Sequence, residues 1–440
     1  MSQMPEEEEG LAGTGTGITP GTGNLLRVSK GVSGWWGSKN LGRSFFVFLS
    51  ASCLFNIGMF MFVLLYNLYL LDIGYREDFL GWVSSMGTAG NMLGTVFAVL
   101  LNRLIGLRRS VVVCFAATAT IAALRSLLVG EAALLSMAFI AGLFFALWAI
   151  SITVVVAQVT TAESRPFAFS IYLATVIGIG IIADPIGGHL PLWLNRLFGP
   201  TSAAQSKQWA LLLSAAIVSL AVLPAMRLRL PQATKEKRAT YPRSSFVIRF
   251  LIAVAVLNIA TAAFNPFASA YFSRHLKMSV EQIGLVFSGS QLAQVVAILL
   301  SPLILRKFGL VWGIVYMELA AGISLATLAT GPPVMLAVLG FAGYTAFQWM
   351  DEPAMESLLM TKVEPHERSG ATALMYMIIF ASGAVTAPVA GLGITRFGYG
   401  AIISAAGFLL VLGALLFGFL LRESVDETAA KINSTQAALR

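Results

Sequence analysis

The densest group of ionisable side chains inside an apolar stretch is the segment Gln348-Trp349-Met350-Asp351-Glu352-Pro353-x-x-Glu356. An ionisable group in hydrocarbon is costly unless it is paired, so such a group is a functional candidate by default. Carboxyl groups at this depth can bind and release a proton, and Pro353 removes a backbone donor and loosens the helix. Two uses stay open: proton coupling by Asp351 or Glu352, with Glu356 one turn on, or ion pairing with Lys or Arg.

Two further acids, Asp184 and Glu318, lie within apolar stretches. Asp184 directly precedes Pro185, which predicts either a coupling or gating carboxylate or a cap for backbone amides freed around the proline. We expect Glu318 to face a neighbouring helix and to have a structural partner there. Arg125, near the end of its apolar stretch, is expected to reach the membrane interface or to pair with Glu131.

Uncharged polar and aromatic side chains recur in the same apolar stretches. Amides orient neutral or weakly charged organic molecules and aromatic rings stack on them, so such residues converging from several helices favour a solute cavity. The alternative for each residue is a hydrogen bond between helices, worth about 0.6 kcal/mol. The candidate cavity residues are Asn56, Tyr66, Asn67, Trp148, Asn258, Asn265, Gln291, Gln294, Tyr344, Gln348 and Trp349.

The composition requires a membrane around these residues. Of the 440 residues, 57% are hydrophobic and 11% are charged, whereas soluble domains carry about 25% charged residues. Soluble, disordered and disulfide-scaffold proteins are therefore excluded. A spanning helix needs about 20 mostly apolar residues, and the chain has twelve such runs: 44–72, 78–102, 109–129, 131–159, 166–193, 207–228, 245–273, 280–305, 310–330, 332–361, 368–395 and 400–421.

The distribution of Lys and Arg predicts the orientation of these spans. With the N-terminus in the cytoplasm, 22 of the 29 basic residues fall on the cytoplasmic side, so we expect both termini there. The net charge of +8 then reflects an anionic bilayer surface, and no nucleic-acid partner is expected. The predicted segments are a cytoplasmic tail with an interfacial Trp and basic stretch (1–43), a six-helix bundle (44–228), a basic cytoplasmic linker (229–244), a second six-helix bundle (245–421) and a cytoplasmic tail (422–440).

The sequence contains an internal repeat. A shift of 203 residues superposes Gly, Ser, Arg and Pro residues, and a shift of 202 superposes Tyr69 on Tyr271. The pairs at 203 include Gly81 and Gly284, Ser85 and Ser288, Arg103 and Arg306, Gly106 and Gly309, Pro185 and Pro388, and Gly188 and Gly391. Six helices separate the copies, so the direction of insertion is kept. This predicts parallel repeats about an axis along the membrane normal.

Three local motifs resemble those of the major facilitator superfamily, and the resemblance extends from about residue 44 to residue 421. The loop Asn102-Arg103-Leu104-Ile105-Gly106-Leu107-Arg108-Arg109 is similar to the family's D-R-x-G-R-R loop, with a weaker copy at Arg306-Lys307-Phe308-Gly309. Glu163-Ser164-Arg165 and Glu367-Arg368 stand at the entries to helices 5 and 11. The segment Gly180-x-x-x-Asp184-Pro185-x-x-Gly188 is similar to the antiporter motif of helix 5, with Asp184 in place of a glycine.

The resemblance implies a cavity lined by helices 1, 4, 7 and 10 and a salt-bridged cytoplasmic gate. Asn102 stands where the family has an aspartate, so one half of this gate lacks a carboxylate. The implied gate residues are Arg103, Arg108, Glu163, Arg165, Arg306, Lys307, Glu367 and Arg368.

These features together predict an all-α, twelve-helix secondary transporter in two parallel six-helix repeats. We expect alternating-access, proton-coupled movement of a small organic solute, with export as an antiporter favoured by the partial helix 5 motif. The alternatives are an uptake permease for a sugar or similar metabolite and, from another class, a non-transporting receptor or lipid-handling protein. The expected setting is a plasma or bacterial inner membrane, with lipid, solute and protons as partners, a monomeric state, no cofactor, no metal and no enzymatic activity.

Overall fold

Long helices joined by short turns make up the described part of the chain, which is residues 41–161, 164–199, 201–230 and 241–438 in a computed structural model. The side chains of 166 and 423–438 are not described. The predicted N-terminal tail up to residue 40, residues 231–240 of the predicted linker, the gate candidate Glu163 and the side chains of the predicted C-terminal tail beyond Arg422 therefore lie outside the description. The described backbone contains no β-strand.

Among the described residues, six long helices precede the central linker and six follow it. The first six are α1 (Arg43–Asp72), α2 (Glu77–Ile105), α3 (Leu107–Leu127), α4 (Glu131–Val159), α5 (Arg165–Phe198) and α6 (Ala203–Leu220). The second six begin with α7 (Ser245–Ala262) and include α10 (Val334–Lys362). Helices α8 (280–308) and α9 (310–329) are the two parts of Val280–Ala329, and α11 (368–397) and α12 (399–438) are the two parts of Arg368–Ala438.

Short irregular segments follow two of these helices. One helical turn, Val222–Ala225, follows α6. Beyond α7 the chain continues through a 3-10 turn (Asn265–Phe267), a short α-helical turn (Ala268–Ala270) and a π-helical turn (Tyr271–His275). At this break, in the outer part of the seventh span, the Pro266 carbonyl oxygen accepts a hydrogen bond from a side chain of another helix.

Two glycines divide the longest helices into separate spans. Gly309 and Gly398 have φ angles of 76° and 82°, a left-handed region that glycine adopts without steric cost. Nine helical segments among the described residues are long and apolar enough to cross a membrane, counting each bent segment once. Helix α10 is not among the nine because polar and acidic side chains interrupt its apolar stretch. With the two bends and α10, twelve spans result, and the predicted fold class is confirmed.

The two halves repeat hydrogen bonds as well as residues. The Tyr69 hydroxyl donates to the Ser126 carbonyl oxygen (3.0 Å), and the Tyr271 hydroxyl donates to the Leu328 carbonyl oxygen (2.8 Å). Each bond joins the end of the first span of a half to the end of its third. Below, the outer side means the side that carries the α1–α2 turn, following the predicted orientation.

Candidate functional site

The two halves meet along two equivalent helix pairs, α2 with α11 and α5 with α8. The Ser85 hydroxyl donates to the Ala384 carbonyl oxygen (2.5 Å), and the Ser288 hydroxyl donates to the Ile181 carbonyl oxygen (2.7 Å). Both donors and both acceptors are related by the 203-residue shift. Each bond lies in the outer half of its helices, so the contact between the halves there is built twice with the same chemistry.

Glycines bring the backbones of these helix pairs together. A Cβ atom on Gly284 would lie 2.5 Å from the Asp184 carbonyl oxygen, and one on Gly81 would overlap the Ala387 carbonyl oxygen. Small residues allow such close approach of membrane helices. Because only a hydrogen atom fits at either position, both outer interfaces have no space for a side chain there.

Three further hydrogen bonds join the halves near the outer ends of their helices. They run from the Asn67 amide to the Pro266 carbonyl (2.8 Å), from the Arg274 guanidinium to the Leu71 carbonyl (3.0 Å) and from the Tyr399 hydroxyl to the Glu77 carboxylate (3.1 Å). The first of these uses the backbone released by the break after α7. The outer half of the molecule is therefore closed by hydrogen bonds from several helices of each half.

A buried carboxyl group lies in one of the two equivalent interfaces. The Gln291 amide of α8 donates to the carboxylate of Asp184 on α5, whose side chain is only 2% exposed. Gly180 leaves room for this amide, since a Cβ there would overlap it. The residues at the related positions of α2 and α11 are Thr88 and Ala387. The ionisable contact is therefore a departure from the repeat.

Helix α10 carries a second cluster of polar side chains inside the protein. Tyr344, Gln348 and Asp351 follow one another at helical spacing and lie on one face. The Tyr344 hydroxyl donates to the Asn265 side-chain oxygen (2.7 Å), and the Gln348 amide lies 3.4 Å from a Glu318 carboxylate oxygen. This face therefore connects the break after α7 to an acid on α9.

Glu318 and Asp351 form a pair of acids within the second half. Their side chains are 2% and 3% exposed, and their carboxyl groups lie within hydrogen-bonding range of each other. The Asp351 Oδ2 atom accepts no hydrogen bond from the described residues. No Lys or Arg of the described residues forms an ion pair with either group. Asp351 thus faces another acid. The sequence had left a basic partner open as the alternative to proton coupling, and no such partner is found among the described residues.

The other two acids of α10 have different surroundings. Glu352 is exposed, as is the neighbouring Trp349. Glu356 is half-buried and accepts a hydrogen bond from the Tyr376 hydroxyl of α11 (3.1 Å). Of the three carboxyl groups on α10, Asp351 is the buried one.

A sequence model of the Major Facilitator Superfamily matches residues 46–249 and again residues 250–439. The chain belongs to the major facilitator superfamily. The two matches divide the chain near the predicted linker, as expected for a family of two repeated halves. No curated protein sequence matches the chain.

Solved structures of several superfamily transporters have the same fold. A bacterial homologue of the human lysosomal transporter Spinster, inward-facing and unoccupied, is 13% identical with a TM-score of 0.68, and the match covers 88% of this chain and 98% of the other. The nucleoside transporter NupG is 15% identical (TM-score 0.66; 86% and 99% covered). A partially occluded inward-open xylose transporter, XylE from E. coli, is 12% identical (TM-score 0.66; 86% and 98% covered).

The gate residues implied by the superfamily motifs do not meet across the halves in the described part of the chain. Exposed side chains belong to Arg103, Arg306, Lys307 and Arg368, while Glu367 is half-buried. Arg108 donates to the Met226 carbonyl and Arg165 to the Ala157 carbonyl (3.2 Å), both within the first half. No described gate residue forms a salt bridge with another.

Several predicted cavity residues of this superfamily member pack inside one half. Trp148 is 3% exposed, with its ring 4.8 Å from Phe115 and 5.1 Å from Phe55 between ring centroids. The Arg125 guanidinium stacks over Tyr66, 3.9 Å from the ring centroid. Of the two alternatives for Arg125, the pair with Glu131 is not formed, and the guanidinium makes a cation–π contact with Tyr66.

The remaining amides divide into two groups. Asn56 and Asn258 are related by the 202-residue shift, and each donates to the carbonyl four residues earlier in its own helix (2.8 and 3.0 Å). Gln294 is half-buried. By contrast, the second group forms hydrogen bonds to other helical segments, as described above. It consists of Asn67, Asn265 and Gln291, which therefore lie at or next to the contact between the halves.

Sequence reasoning missed two features of this site. It assigned Glu318 an unnamed structural partner, and the structure places both the Gln348 amide and the Asp351 carboxyl group beside it. It used Ser85 and Ser288 as markers of the repeat without a role, and both join the halves. For the serines the signal was present, because polar residues repeated at one offset within apolar helices mark a contact that is made twice.

Proposed function

We propose that this protein is a proton-coupled secondary transporter that moves a small organic solute by alternating access, acting as an exporter in a plasma or bacterial inner membrane. The observation that carries this proposal is the contrast between the two sides of the molecule. Six hydrogen bonds join the halves in their outer part. The described cytoplasmic gate residues form none across the halves. A closed outer side, together with described gate residues that do not pair across the halves, fits one end state of alternating access.

The predicted orientation supports reading this state as inward-facing. Two superfamily transporters of the same fold, the Spinster homologue and XylE, were solved in inward-facing or inward-open states. In the opposite state the outer bonds would break, and the basic residues after α2 and α8 would pair with Glu163 and Glu367. These pairs then stabilise the outward-facing state.

The solute is proposed to be a neutral or weakly charged organic molecule. Amide side chains at the meeting of the halves, such as Asn67 and Asn265, can orient its polar groups. A nucleoside transporter and a xylose transporter share the fold. Uptake of a sugar or similar metabolite is therefore the second candidate, and the partial antiporter motif of α5 favours export over it.

Solute binding is tested first with the purified protein. A panel of nucleosides, pentoses and lipophilic drugs is screened for thermal stabilisation at acidic and alkaline pH, since a ligand of the folded state raises its apparent stability. Each hit is then tested for counterflow of labelled solute in proteoliposomes. Counterflow establishes transport, and binding without counterflow would favour the receptor or lipid-handling alternative.

Proton coupling is tested with Asp351→Asn, which keeps the shape of the side chain and removes its titration. We expect the variant to retain counterflow, which needs no net proton movement, and to lose solute accumulation driven by a pH gradient. Glu131→Gln, at an exposed carboxyl group on the outer side, is the matched control and should accumulate solute like the wild type. Gradient-driven accumulation in Asp351→Asn at the wild-type level would refute the assignment.

A further inference from the structure

The two acids Glu318 and Asp351 occupy positions that the other half of the protein fills with aromatic rings. The 203-residue shift relates Glu318 to Phe115 and Asp351 to Trp148. Phe115 and Trp148 pack against each other with ring centroids 4.8 Å apart. The fold therefore accommodates a fully apolar contact between the third and fourth helices of a half. The packing of the third and fourth helices therefore does not require carboxyl groups at positions 318 and 351.

Two carboxylates that share a buried site repel each other strongly, so both cannot stay ionised there. Glu318 and Asp351 are 2% and 3% exposed and lie within hydrogen-bonding range. A hydrogen bond between two carboxyl groups needs a proton on one of them. The Asp351 Oδ2 atom has no donor among the described residues, and no described Lys or Arg pairs with either acid.

The groups around the pair do not supply a positive charge. On α10, the titratable neighbours of the pair are Tyr344, near Glu318, and Glu352, near Asp351. From α8, the Ser301 hydroxyl reaches α10 and donates to the Met350 carbonyl (2.9 Å). From the break after α7, the uncharged Asn265 accepts from Tyr344. No positively charged side chain among the described residues compensates the negative charge of the pair. A bound proton can do so instead.

We propose that Glu318 and Asp351 form one site that holds a single shared proton, and that this site acts on the contact between the halves through Tyr344 and Asn265. The connection is a series of adjacent polar contacts. Gln348 bridges toward Glu318 (3.4 Å), and Tyr344, one turn earlier on α10, bonds to Asn265 (2.7 Å). The next residue, Pro266, offers its carbonyl to Asn67 of the other half (2.8 Å).

These contacts would link the protonation of the two acids to the hydrogen bond between Asn67 and Pro266 on the outer side. Loss of the proton leaves two charges in one buried site, and their repulsion separates α9 from α10. A shift of α10 moves the Tyr344 hydroxyl, which holds Asn265 beside the carbonyl that receives Asn67. This mechanism rests on the transporter proposed above, and it names the coupling site of that transporter as a pair of acids.

The shared proton is tested by infrared difference spectroscopy of the purified full-length protein, which needs no solute. The wild type should show the carbonyl stretching band of a buried carboxylic acid. Glu318→Gln and Asp351→Asn should each remove this band, and the double variant should remove no more than either single variant. Glu131→Gln is the control and should leave the band unchanged. Additive losses would show two separate acids, and an unchanged band in both single variants would refute the site.

A monovalent metal ion is the other cation that such a pair could hold. Thermal unfolding is therefore measured with sodium and with a bulky organic cation at equal ionic strength. We expect equal stability in both salts, as a proton site requires. Sodium-specific stabilisation that disappears in Asp351→Asn would overturn the proton assignment.

The connection to the outer contact is tested with Tyr344→Phe, which removes the hydroxyl bonded to Asn265 and leaves both acids. Spin labels on the outer ends of α4 and α10 report the separation of the halves. The variant should keep the carboxylic acid band and lose the pH dependence of the label distance. A pH-dependent distance equal to that of the wild type would refute the route through Tyr344. Because neither readout involves transport, these outcomes are independent of whether a solute has been found.

Discussion

The close approach of Gly284 to Asp184 provides a way to shift the protein between its two states. In Gly284→Ala, the new Cβ would lie 2.5 Å from the Asp184 carbonyl oxygen. Ordinary contact begins near 3.4 Å, so α5 and α8 must move apart by about 1 Å, and overpacking of this kind costs about 1–3 kcal/mol. The strain exists only while the outer interface is closed. The equilibrium should therefore move toward the outward-open state by about 5- to 150-fold.

Gly289→Ala on the same helix is the matched control. A Cβ on Gly289 meets nothing within 4 Å, so this variant gains the same helix propensity, about 1 kcal/mol, without the clash. That gain applies in both states and shifts nothing between them. The two variants differ only in the contact with the opposite half.

The populations are measured by pulsed electron spin resonance in detergent or nanodiscs. Labels are attached at residues 131 and 334, the first residues of α4 and α10, which are related by the 203-residue shift and exposed. The native Cys53 and Cys114 are first replaced by alanine. Gly284→Ala should add a population with longer distances, and Gly81→Ala, its counterpart on α2, should do the same. Distance distributions identical to that of Gly289→Ala in both variants would refute the reasoning.

Two further predictions concern buried charge. Gln291→Ala leaves the Asp184 carboxylate, which is 2% exposed, without its amide donor. It should lengthen the label distances, whereas replacing both residues with alanine should restore much of the closed state, because removing both partners is nearly neutral. Lys207 of α6 and Asp72, the last residue of α1, form a partly buried ion pair; Lys207→Met should lower the free energy of unfolding by up to about 3 kcal/mol. In a double-mutant cycle of thermal unfolding, Asp72→Asn in that background should cost little more, and equal additive losses would contradict the pairing.

The helices and the repeat that relates the two halves could be predicted from the sequence. Apolar runs of spanning length mark the spans, and the 203-residue shift aligns Gly81 with Gly284 and Ser85 with Ser288. Residues with the same structural role in both halves therefore occur at matching positions of the repeat. The family match and the structure confirm the superfamily and the repeated fold that this pattern predicted.

The partners of the buried acids could not be predicted in the same way. Spacing along α10 places Tyr344, Gln348 and Asp351 on one face, but it does not say which residue of α9 lies opposite. That depends on the register between two helices, which local sequence does not encode. Trp148 illustrates the same limit, because an aromatic residue on the fourth helix fits a solute cavity or a core equally well, and here it packs against Phe115.

The repeat allows equivalent positions of the two halves to be compared, because both halves have the same fold. Where the two halves carry the same residues, as at Ser85 and Ser288, the shared fold explains them. Where they differ, the fold alone does not. Gln291 with Asp184 corresponds to Thr88 with Ala387, and Glu318 with Asp351 corresponds to Phe115 with Trp148.

Both departures put buried carboxyl groups into contacts that the other half makes without them. One lies between the halves, at the interface that opens in the proposed transport cycle. The other lies inside the second half, about two turns of α10 from the Tyr344 hydroxyl, which is bonded to Asn265 in the break after α7. Titratable groups at a moving contact and beside its hinge are what proton-driven switching requires, whereas acids kept for stability would be expected in matching places in both halves. The broken symmetry is therefore the strongest structural argument for proton coupling in this transporter.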